Sequence, residues 1–78
     1  MRDFRTALTP MTTQPAPGVF RPAMALDGRP VWWSGDVYPM SRWGRAAKEM
    51  ALEDARCTLL FCDDESQTAD QLHYAANG

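Results

Sequence analysis

The stretch Ala23-Met24-Ala25-Leu26-Asp27-Gly28-Arg29-Pro30-Val31-Trp32-Trp33 decides the reading of the fold. Asp-Gly between two apolar runs is a strong hairpin signal, because a tight two-residue turn demands positive φ at both central positions. Such a loop also sets the register, and the register sorts side chains onto faces. An unbroken ladder pairs Leu26 with Arg29, Met24 with Val31 and Ala23 with Trp32. One face then carries Phe20, Met24, Leu26, Val31 and Trp33, and reads as core. The other carries Arg21, Ala23, Ala25, Trp32 and Ser34, which leaves Trp32 toward solvent among small residues and an arginine. Pro30 falls opposite Ala25 with its missing N–H directed away from the first strand, so the second strand is expected at the sheet edge. Pro22 limits how far the pairing extends.

Outward from this hairpin (residues 19–26 and 30–34), the next periodic segment is 41–55. Ser41 is a plausible N-cap. At 100° per residue Trp43, Ala46, Ala47, Met50, Ala51 and Ala55 share an arc, with Arg45, Lys48, Glu49, Glu53 and Arg56 opposite. Asp54 breaks the apolar arc and is expected at a frayed helix end. Residues 57–62, Cys-Thr-Leu-Leu-Phe-Cys, are apolar on both faces and read as a third strand covered on both sides. Residues 63–78 stay open between a helix started by Thr68 with Gln71 as a capping box and a short strand through 71–74. Residues 1–18, with Pro10, Pro15 and Pro17 and no periodicity, read as a flexible N-terminal arm. Met11 offers a second possible start. The expectation is an α+β fold over residues 19–78, a single small domain: a small antiparallel three-stranded sheet (order 2-1-3, β-β-α-β) packed on one helix, with a short C-terminal helix or strand. Its expected core is Phe20, Met24, Leu26, Val31, Trp33, Trp43, Met50, Leu59 and Phe61.

At 78 residues, with 45% hydrophobic and 23% charged residues, the chain has a globular composition in one small domain. No apolar run is long enough for a membrane span, and Arg2, Asp3 and Arg5 interrupt any secretory signal, so a cytoplasmic location is expected. In a strand, Cys57 and Cys62 would lie about 16 Å apart, too far for a disulfide. With His73 as the one histidine and no Cys-x-x-Cys, no structural metal and no cofactor are expected. No nucleophile–base pairing, phosphate loop or paired-carboxylate pocket is legible, so the chain does not read as an enzyme.

Charge divides along the chain. Residues 1–48 hold seven cations and three anions, a net +4, whereas residues 49–78 hold one cation and seven anions, a net −6. Trp32, Trp43, Arg21, Arg29, Arg42 and Arg45 combine aromatic and basic character, as a nucleic-acid surface does. A pI near 5.1 weighs against that use, because phosphate contacts dominate such affinity.

In architecture the chain resembles small phage and mobile-element proteins of the anti-CRISPR type. The matching residues are Val19 to Trp33, Ala46-Ala47-Lys48-Glu49-Met50-Ala51 and Thr58 to Phe61, within residues 19–62. The resemblance implies a viral protein without enzymatic activity, an inhibitor that docks on a host complex with a basic nucleic-acid-binding surface. The expected contact residues are Asp63, Asp64 and Glu65, supported by Glu49 and Glu53, with Trp32 as an apolar contact. A small DNA- or RNA-binding regulator is the alternative. A third reading is a structural or oligomeric accessory subunit, since the doubly apolar strand and Trp32 call for a covering partner or second copy.

Overall fold

Asp27 and Gly28 both have positive φ, 52° and 84°, as a two-residue turn between twisted strands requires. In the computed structural model, which describes residues 1–78, they join β2 (Val19–Leu26) to β3 (Arg29–Trp33). A second Gly-centred turn precedes this one. Pro17-Gly18, with Gly18 at φ 72°, joins β2 to β1 (Leu8–Ala16), which pairs antiparallel with it from Leu8↔Leu26 to Ala16↔Val19. Pro followed by a positive-φ glycine is the chemistry of a type II turn. The sheet order is therefore β1-β2-β3, and a two-residue β4 (Tyr38–Pro39) bonds to the free end of β2.

The α+β class with an antiparallel sheet packed against helices is as expected, but two of its parts are corrected. Residues 1–18 are not an arm. They supply a short helix, α1 (Phe4–Ala7), and the strand that flanks β2, the place the 2-1-3 order assigned to residues 57–62. Phe4 and Leu8 lie in the buried core, so the residues before Met11 are part of the fold. Residues 57–62 are not a strand. Helix α3 runs Ala47–Phe61, because Leu59 continues the every-fourth-residue row of Ala47, Ala51 and Ala55, all buried. Only one side of the Cys-Thr-Leu-Leu-Phe-Cys run then meets the core, and Leu60 and Phe61 point outward.

The expected helix 41–55 is broken at its start. Met40–Trp43 form one turn, α2, and Gly44–Ala46 a 3₁₀ turn, with Gly44 at φ 59° between them. That left-handed backbone suits glycine and stops α2. Ser41 lies inside the turn and Pro39 is the capping position. Asp54 is mid-helix rather than frayed; its carboxylate accepts from Tyr38 Oη and from Thr58 Oγ1 at 3.2 Å. The C-terminal alternative resolves as a helix, α4 (Gln67–Asn77), capped by Ser66, whose hydroxyl accepts from Ala69 N at 3.1 Å.

One core results, built from Phe4, Leu8, Met24, Ala55, Leu59, Ala69, Leu72 and Ala76. Because Leu8, Met24 and Leu26 share a face of the sheet and pack with the helices, Thr9, Met11, Thr13, Val19, Arg21, Ala23 and Ala25 alternate onto the other, which no helix covers.

Candidate binding surface

The tryptophans are placed by a bulge. Pairing runs Leu26↔Arg29 and Ala25↔Pro30 as the turn dictates, then slips to Met24↔Trp32 and Ala23↔Trp33. Val31 is the extra residue, and everything after it changes face. Trp32 therefore lies on the helix-covered side, half-buried, with Nε1 donating to Gln71 Oε1 of α4 at 3.0 Å. Trp33 is 49% exposed on the open face. The expected solvent position of Trp32 and core position of Trp33 are thus exchanged. The surroundings foreseen for an exposed tryptophan, two alanines and Arg21, are present and belong to Trp33.

A cross-strand row, Met11↔Ala23↔Trp33, runs over the middle of this face. Ala23 is fully buried although no helix lies above it. The methionine and the indole on either side therefore close over it, leaving a shallow apolar surface. Among the strand residues of this face Arg21 is the one ionisable side chain; it forms no salt bridge, and its buried Nε has no hydrogen-bond partner.

Both edges of the sheet are blunted. Leu26↔Arg29 closes the two-residue turn, so Leu26, Met24 and Pro22 direct their backbone groups to the β3 side, as Ser34 N→Pro22 O at 2.9 Å confirms. Residues opposite them on β1, Pro10 included, then turn their backbone outward, and on β3 Pro30 does the same. A proline thus removes an outward N–H from each edge strand, which disfavours strand addition. Pro22 marks where β3 leaves the sheet before β4 returns.

The acidic residues do not form one site. Asp63, Asp64 and Glu65 are exposed at the corner between α3 and α4. Asp64 pairs with Arg5 Nη1 at 2.7 Å, and this hydrogen bond raises the Arg5 pKa. Asp63 is occupied locally, its carboxylate accepting from Glu65 N at 2.9 Å. Glu49 and Glu53 are exposed on α3, and Glu49 lies about 18 Å from the helix's last residue along its axis. Glu53 pairs with Arg56 at 3.4 Å. Trp32 lies on a third element, apart from both groups.

Cys57 and Cys62 are free thiols, and no three acidic, histidine or cysteine side chains come together as a metal site would need. No helix is long and apolar enough to cross a membrane. Compared with protein-family models, with curated proteins and with solved structures, the chain finds no match.

Proposed function

We propose that the protein is a non-enzymatic binding module that contacts another protein through its open sheet face, centred on Trp33. The exposed indole beside Met11, over two alanines and next to an unpaired arginine, carries this reading. Tryptophan and arginine on a flat, rigid patch are the residue types that dominate protein contacts. The blunted edges favour a face contact over strand addition. A narrower form, an anti-CRISPR-type inhibitor in the cytoplasm of a phage host, rests on the exposed carboxylates of Asp63 and Glu65, which suit a basic groove. The nucleic-acid reading has Arg21 near Trp33 in its favour and the net charge of −2 against it.

Three variants separate these readings in affinity capture of host proteins followed by mass spectrometry. Loss of the captured partner in Trp33→Ser, with retention when Asp63, Asp64 and Glu65 become Asn, Asn and Gln, supports the face contact. The opposite pattern transfers the contact to the acidic corner. If the wild type shifts labelled DNA or RNA at physiological salt and Arg21→Gln abolishes the shift, the protein-binding reading is replaced.

A further inference from the structure

Two apolar surfaces of the same chain are left uncovered, and their chemistries match. The first is the open sheet face, with Trp33 49% exposed, Met11 beside it and the unpaired Arg21 diagonal to the indole. The second is the α3–α4 corner. There Leu60 is 59% and Phe61 78% exposed, and Asp63, Asp64 and Glu65 follow at once. The corner is held rigid. Arg5 Nη2 donates to Cys62 O at 2.8 Å, and Ser66 N and Oγ both donate to Asp63 O, at 2.9 and 2.6 Å. Such preorganisation removes part of the ordering cost of association.

We infer that the open sheet face accepts the Leu60–Glu65 corner of a second copy of this chain. This rests on the protein-binding reading above and names the occupant of the same surface. Phe61 and Leu60 lie over Met11, Ala23 and Trp33, while a carboxylate of Asp63 or Glu65 meets the Arg21 guanidinium. In each such contact one copy's corner covers its neighbour's exposed indole and supplies an acceptor to a cation that has none within its own chain. The corner stands on the helix side of the sheet and Trp33 on the opposite side, so one molecule cannot join its own two surfaces. The contact is heterologous, and it builds rings or open chains rather than a two-fold dimer.

Sedimentation equilibrium on the full chain tests this, with Phe61→Ser on the corner and Trp33→Ser or Thr9→Glu on the sheet face. Thr9 is exposed, so Thr9→Glu adds a repelling charge without touching the core. Circular-dichroism melts verify that each variant is folded. The wild-type mass should rise above the 8.8 kDa monomer with concentration and fall back with added salt. Each variant alone should stay monomeric. A mixture of Phe61→Ser with Thr9→Glu should form one-to-one pairs and nothing larger, since each retains one intact surface. A wild type that remains at monomer mass overturns the inference. So does self-association that survives in a folded variant, or a mixture that fails to pair. If the wild type is monomeric while Trp33→Ser still loses a captured partner, self-docking falls and the protein-binding reading stands.

Discussion

Val31 has more influence than its size suggests. As the extra residue of the bulge it sends Trp32 to the core side and Trp33 to the surface. The two adjacent indoles therefore have unequal energetic weight. Trp32→Ala should cost about 2–4 kcal/mol, since it removes a partly buried ring packed against the core. Trp33→Ala should cost within about 1 kcal/mol, because half of the ring already faces water. Urea unfolding of the two variants checks the order, and equal losses would contradict the bulged register. Gly28, at φ 84°, admits no side chain without strain, although the space beside it is open. Gly28→Ala should therefore destabilise by roughly 1 kcal/mol or more in the same measurement.

Among the elements, the junction of β4 with α3 is held by a polar link. Tyr38 Oη donates to Asp54, which also accepts from Thr58. That hydrogen bond, reinforced by burial, pushes the Tyr38 phenol from 10.0 up to about 12. A folded-state pKa above the unfolded value means the stabilisation is complete below pH 10. It is lost as pH rises from 10 through about 12, where ionisation places a phenolate beside a carboxylate. Denaturant unfolding across this range should show a decline in the wild type that Tyr38→Phe lacks. Matching profiles would show that the link contributes nothing. The alanine row of α3 acts differently, letting the helix approach β1 and β2 closely. Ala51→Leu should overpack that contact and cost about 1–3 kcal/mol, read as a lower melting temperature.

Across the whole molecule, the N-terminal segment closes the structure. Phe4 is fully buried, its ring meets His73 of α4 edge-on at 4.6 Å, and Arg5 spans from α1 to the Asp64 corner. The segment before α1 is also joined to the last helix, because the Arg2 backbone N–H and C=O exchange two hydrogen bonds with the Asn77 side chain. A small core cannot lose much of this. Phe4→Ala should cost about 3–5 kcal/mol. A chain begun at Met11 should lack a cooperative melt, since it loses both Phe4 and Leu8. A normal melt from that shortened chain would show that the core closes without them.

The local chemistry of residues 19–30 was legible without any structure. Asp27-Gly28 permits one tight turn, the turn fixes its first two pairs, and Pro30 and Pro22 set where pairing is blunted and where it stops. Pro17-Gly18 carried a comparable turn signal, but three prolines and no periodicity concealed the strand before it. Charge was legible as a tally along the chain and not as a surface, because Arg5 folds back onto Asp64. Tertiary structure alone decided the remainder. Five apolar residues and a threonine at 57–62 fit a strand or a helix equally well until Leu59 joins the alanine row against the sheet. A one-residue bulge has no sequence signature, yet it selects which tryptophan faces water. The common physical reason is range: a turn is settled by the dihedral preferences of its own residues, whereas faces, flanks and helix length are settled by partners distant in the chain.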